Sequence, residues 1–302
     1  VRAELLAELL CAEPVPGAGS VLRLGGARVT GRLDLESRTL TRSPVLRGCH
    51  FDNPVGLDGV TAAMIGLPGC HVPGLSAEQA HITGDLRLDQ GFTSHGEVRL
   101  TEVRVGGGLV LRGARLSDPG GMALDAEGAD IGRHLLADGG FTAEGEVALP
   151  DARIGGRLDF SGARLTNPGG AALEAEGLEV GRHLLCRDGF TAEGTVALVH
   201  ARVGGALSFG GADLADPGGV ALAADGLTAE HSMTCARLTA DGEVRLHGTR
   251  IGGTIRLTGA RLTNPGGIAL NANGLTAGRG VDCRGGFSAD GEVRLPGAHI
   301  GV

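Results

Sequence analysis

The side chains best suited to chemistry in this chain are His134 and His183, which stand in identical Gly-Arg-His-Leu-Leu segments, and Cys186, Cys235 and Cys283, which share one slot farther on. Imidazole carries protons near neutral pH and binds metals. A metal site, however, needs ligands converging within about 2.0–2.3 Å of one ion, and no HxH pair, H-E-x-x-H or C-x-x-C segment accompanies these residues. The histidines read as surface polar positions. The cysteine slot holds Ala137 one repeat earlier, so it reads as a small inward site filled by reduced, buried thiols. All 27 basic residues are Arg, which excludes Schiff-base and lysine general-base chemistry. Hydride transfer would call for a G-x-G-x-x-G turn, and neither that spacing nor a P-loop nor G-x-S-x-G occurs. Neither catalysis, a metal nor a cofactor is expected.

Two rows of charge remain. Asp118, Glu144, Asn167, Glu193, Asp216, Asp241, Asn264 and Asp290 alternate between Pro-Gly-Gly and Thr-Ala-Glu-Gly loops, and Glu146, Glu243 and Glu292 begin the strand that follows. Together the carboxylates predict a negative ridge along one edge of the molecule. The second row, Arg104, Asp130, Arg153, Glu179, Arg202, Thr228, Arg250, Thr276 and His299, predicts a ladder in which each Arg has a carboxylate one coil away, worth about 0.2–1 kcal/mol per exposed pair.

Both rows depend on a repeat. Val105, Ile154, Val203, Ile251 and Ile300 lie 49, 49, 48 and 49 residues apart with nearly everything between them recurring in order, which marks a solenoid. Within one unit apolar residues fall in pairs two apart: Ala152/Ile154, Leu158/Phe160, Ala163/Leu165, Ala171/Leu173, Leu178/Val180, Leu184/Cys186 and Val196/Leu198. Spacing of two means short strands with one face inward, and four such sides make a circuit. The unit is therefore two coils, a longer one from Ile154 to Val180 and a shorter one from Val180 to Val203. Four parallel sheets are expected, rising about 4.8 Å per coil, with Asn167-Pro168-Gly169-Gly170 suited to a type II turn.

The Gly-Ala-Arg-Leu segments, and the five-residue steps Leu35/Leu40, Leu46/Phe51 and Ile65/Cys70/Leu75/Ala80, resemble the pentapeptide-repeat proteins. That resemblance covers roughly residues 20–302 and implies a right-handed quadrilateral parallel β-helix. The 49-residue unit is similar to actinobacterial repeat proteins that carry the label oxidoreductase or membrane-associated oxidoreductase, a label with no motif behind it here. Some pentapeptide-repeat proteins mimic duplex DNA and shield DNA gyrase, which gives the acidic ridge a second reading beside that of a structural or protein-binding scaffold.

Composition sets the remaining bounds. With 56 glycines, no Trp or Tyr and seven Phe, the core must be built of small aliphatic residues, and no aromatic platform for sugars is expected. A net charge of -8 argues against direct nucleic-acid binding. No run approaches the roughly 18 apolar residues that span a bilayer, and no secretory signal opens the chain, so a cytoplasmic protein is expected; the first residue is Val rather than Met, which leaves a leader open. Residues 1–13 are expected to form an amphipathic capping helix with Leu5, Leu6, Leu9 and Leu10 as its apolar stripe. Residues 14–302 form one solenoid domain, irregular to about 80 and regular from about 81. The sequence stops within a repeat at His299-Ile300-Gly301-Val302 without a cap, so either the chain continues or this end is an interface for self-association.

Overall fold

In the computed structural model, which describes residues 1–13 and 19–301, the chain is an all-parallel right-handed β-solenoid of about a dozen turns preceded by one helix. The expected boundary at residue 14 lies outside the described residues, as does Val302. At about 4.8 Å per coil the rod is about 55 Å long.

Coil period follows side length. Thr61 pairs with His81 and Val55 with Leu75, so the early coils advance by four five-residue sides. In the regular repeats Ile154 pairs with Val180 and Val180 with Val203, as the longer and shorter coils require. The sides are numbered from the strand Arg153–Ile154 as first face, followed by Leu158–Asp159 as second face. The strand Arg164–Glu174 then supplies both third and fourth faces. Hydrogen bonding consequently forms three sheets instead of the expected four, with 11 strands on the first face, 12 on the second and 17 across the other two. In the shorter coils the strand Thr191–Ala197 passes the same corner without a break, because Gly194 takes a φ of 112° that favours glycine, at a place where a Cβ would also strike the coil below.

The core is one aliphatic column with phenylalanines stacked inside it; Phe160 lies 6.3 Å, centroid to centroid, from both Phe141 and Phe190. The inward pairs come out as the period of two demands, with one correction. Ala172, not Ala171, accompanies Leu173 into the core. Pairing slips between Ala171 and Leu173 as the strand leaves the Pro-Gly-Gly loop, and such a bulge turns two consecutive side chains inward.

The helix α1, Ala3–Cys11, covers the first coil. Its buried face is Ala3, Leu6, Ala7 and Leu10, whereas Leu5 and Leu9 are 45% and 40% exposed. The i, i+3, i+4, i+7 spacing selects this face over the expected leucine stripe. Thr41 Oγ1 donates to the carbonyls of Leu10 (3.0 Å) and Ala12 (2.6 Å), and Arg42 Nη1 donates to Leu9 O (3.2 Å), which satisfies the open end of the helix. All six cysteines are free; Cys186 and Cys235 are buried as expected, but Cys283 is exposed. It sits in the last described coil, where no further coil stacks over its column.

Candidate interaction surfaces

The acidic ridge lies at the corner between the third and fourth faces. Register brings Glu144, Glu193, Asp241 and Asp290 into one line, interleaved with Ser117, Thr166, Ala215 and Thr263. The other predicted members divide. Asp216 folds back over its own loop, where its Oδ2 accepts from Val220 N (3.0 Å) and Thr195 Oγ1 (3.2 Å), and Asn167 and Asn264 close the same loop by donating to the carbonyls of Ala171 (2.8 Å) and Ile268 (2.9 Å). Asp118 crowds Gly121 in the equivalent place. Glu146 sits over Met122 and Glu292 over Ile268 on the fourth face, and Glu243 N donates to Gly219 O (3.0 Å) as that face begins. Burial, then the neighbouring charges of Glu174 and Asp125, raises the Glu146 carboxyl, while the hydrogen bond from Arg294 lowers Glu292.

The ladder forms in register on the first face, from Arg104 opposite Asp130 through to Thr276 opposite His299. Its ion pairs are fewer than expected. Glu179 reaches both Arg202 (2.9 Å) and Arg153 (3.7 Å), whereas Asp130, one methylene shorter, pairs with neither neighbour among the described residues. Beside the ladder runs a floor of glycines, Gly132, Gly155, Gly181 and Gly204, which lines an open groove across the coils. Glycine is required there by close stacking: a Cβ on Gly204 would lie 2.6 Å from Gly181 O.

The two histidines each bond to the backbone of the coil that follows. His134 Nδ1 accepts from Arg157 N and His183 Nδ1 from Ala206 N, both at 3.0 Å, so each imidazole receives a backbone N–H of the next coil. Asp85 does the same for Gly108 N (2.8 Å) and Ser232 for Thr254 N (3.2 Å). Above each acceptor stands a glycine, Gly107, Gly156, Gly205 or Gly253, whose Cβ would collide with it. Burial first, then the fields of Arg157, Arg133 and Arg182, lowers the pKa of His134, which favours the neutral ring that can accept.

Arg133 and Arg182 belong to a row that sequence reasoning overlooked. Arg133, Arg182, His231 and Arg279 occupy one slot of alternate coils, two residues beyond the inward Ile131, Val180, Ala229 and Ala277, at the corner between the first and second faces. All four are exposed, and none makes an ion pair among the described residues. This corner is diagonally opposite the acidic ridge, so the rod carries cations on one edge and anions on the other.

Among the described residues no group of three or more His, Cys, Asp and Glu side chains is placed to hold a metal ion, and no helix is long and apolar enough to cross a membrane. Comparisons with protein-family models, with curated proteins and with solved structures find no match to this chain. The fold agrees in general terms with a pentapeptide-repeat solenoid.

Proposed function

We propose that the protein is a non-catalytic scaffold of the pentapeptide-repeat type that binds other protein along its length. The observation that carries this reading is the registration of outward charge: the same slots return on successive coils, so the rod presents straight columns of charged side chains with a fixed rise of about 4.8 Å. Its depressions are open grooves that cross several coils. An extended, periodic surface suits recognition of another macromolecule by many weak contacts. The DNA-mimic alternative, shielding of a topoisomerase, is less well supported by the ridge. Its in-line carboxylates recur every second coil, about 9.6 Å apart, against one charge per roughly 1.7 Å of duplex axis.

A photo-crosslinking residue placed in turn on each face, in cells that make the protein, tests the proposal. The expected result is crosslinks to one partner from consecutive coils of the same face or edge, lost when the charges there are reversed. Crosslinks scattered over all faces, or none, would refute a scaffold. Stoichiometric binding of a flavin or nicotinamide cofactor in calorimetry would restore the oxidoreductase reading.

A further inference from the structure

We infer that the rods pack side by side with copies of themselves, all pointing the same way and with no axial shift, the cationic edge of one against the anionic edge of the next. The inference rests on the scaffold reading and names its partner as a second copy of this chain.

Charge provides the first argument. The coil that carries Arg133 also carries Glu144 at the diagonal corner, and the same coil-by-coil pairing joins Arg182 with Glu193, His231 with Asp241 and Arg279 with Asp290. Both rows recur every second coil, about 9.6 Å. Two copies translated perpendicular to the rod axis would therefore face arginine to carboxylate at three levels, with His231 opposite Asp241 at a fourth. The match recurs from residue 130 onward, because one repeat generates both rows. Among the described residues the guanidiniums of Arg133, Arg182 and Arg279 have no ion-pair partner, and neither do the carboxylates of Glu144, Glu193, Asp241 and Asp290.

Shape provides an independent second argument. In the intervening coils the anionic edge projects Pro-Gly-Gly loops, with exposed tips at Pro168-Gly169, Pro217-Gly218 and Pro265. The cationic edge of those same coils carries no side chain at all at two successive positions, Gly155-Gly156, Gly204-Gly205 and Gly252-Gly253. At zero axial shift each loop tip meets a glycine recess, while each acid meets a base on the coils between. A shift of one coil would set loops against arginines and leave both charges unpaired. Charge and relief thus select the same register.

Because the two edges are different surfaces on opposite corners, the contact is head-to-tail and does not close on itself. Rods add one after another into a flat row. The contacts are exposed ion pairs, individually weak and screened by salt, so the row forms reversibly and dissolves as ionic strength rises.

Sedimentation velocity at low salt over rising concentration tests this, with two charge-reversed proteins. One carries R133E, R182E and R279E; the other carries E144R, E193R, D241R and D290R. Wild type is expected to form a concentration-dependent series larger than dimer that disperses in high salt. Each variant alone is expected to stay monomeric, since both of its edges then bear the same charge. Mixed together they are expected to associate again, with an apparent affinity recovered to within about tenfold of wild type. Thermal unfolding confirms that each variant is folded, and the neutral set R133Q, R182Q and R279Q, expected to weaken association without abolishing folding, replaces any variant that is not. Monomeric wild type at every concentration, a closed dimer, or variants that fail to rescue each other would overturn lateral packing. Crosslinks to a different protein from consecutive coils of one face would in that event leave the scaffold reading standing, whereas scattered or absent crosslinks would remove both.

Discussion

Gly204→Ala should weaken the rod in its middle, and the size of the effect follows from the coil spacing. The added Cβ would sit 2.6 Å from Gly181 O, whereas a carbon–oxygen contact relaxes only near about 3.3–3.6 Å. Relief requires the two coils to part locally by nearly 1 Å. That displacement stretches the Gly204 N to Val180 O bond (2.8 Å), its neighbour Arg202 N to Leu178 O (2.8 Å) and the Ala206 N to His183 Nδ1 bond (3.0 Å). Three bonds at about 0.5–1.5 kcal/mol each put the loss at about 1.5–4.5 kcal/mol. Gly210→Ala, in the same coil, is the control: its Cβ would find nothing nearer than 3.6 Å, so the change should be neutral or slightly stabilising. Urea unfolding followed by circular dichroism gives the two midpoints. Because neighbouring coils stabilise one another only locally, hydrogen exchange should show lost protection around residues 178–206 in Gly204→Ala and little change at the ends. Equal midpoints, or a loss spread evenly along the chain, would show that the glycine floor is not set by coil contact.

Leu173→Asp should place an unpaired charge in the apolar column and cost several kcal/mol in the same urea assay. Asn167→Asp should cost only about 1 kcal/mol, since the lost bond to Ala171 O can be replaced in the manner of Asp216, which accepts a backbone N–H four residues on. Stability should also depend on pH through His134. Its folded pKa lies below the ordinary 6.5, so its contribution is complete above 6.5 and is lost as pH falls from there through the lowered folded value. Between about pH 7 and pH 5 the wild type should therefore lose more stability than His134→Asn, whose amide oxygen accepts the same bond without titrating. In thiol labelling of the native protein Cys283 should react first, and Cys70, Cys186 and Cys235 only on unfolding, since burial pushes Cys70 and Cys235 up to about 12 and raises Cys186 as well.

Much of the architecture was legible because strands and coils both have simple periods. Alternation at Ala163/Leu165 or Leu184/Cys186 identifies the inside, and the 49-residue repeat identifies the partner strand, so the register of the Arg104 ladder follows from the sequence alone. What escaped was whatever breaks a period. The bulge at Ala172 is invisible to a rule of two, and the merging of two faces into one sheet depends on the φ of Gly194 instead of its identity alone. Exposure of Cys283 reflects which coil stacks above it, a fact its repeat slot does not contain. The role of the histidines was hidden because their partner is a backbone N–H in the next coil, 23 residues on. A signal did exist: each of Asp85, His134 and His183 is followed 22 residues later by a glycine that makes room for it.

That pairing of acceptor and glycine also explains why the repeat is two coils long instead of one. An imidazole or carboxylate that reaches up to cap the next coil needs a missing Cβ there, as Gly156 provides over His134 and Gly205 over His183. Two acceptors on adjacent coils would collide, so acceptor coils and glycine coils must alternate. The same alternation recurs at another corner, where Asp151 lies against Gly177 and His200 against Gly226. Everything outward inherits this period. Arg133 and Arg182 flank the acceptors, the double-glycine recesses occur on the coils between, and the loop at Asn167 alternates with the Glu144 and Glu193 corners. A steric rule for stacking coils thereby fixes the spacing of charge and relief on both edges of the rod. It follows that replacing an acceptor such as His183 by Gly should disturb stacking without altering the periodicity of the surface, whereas inserting a single extra coil with glycine in the acceptor slot between Val180 and Val203 should put every later base out of step with the acids of a neighbouring wild-type copy. Such an insertion mutant should remain folded and associate with itself, yet fail to join wild-type rods beyond the point of insertion.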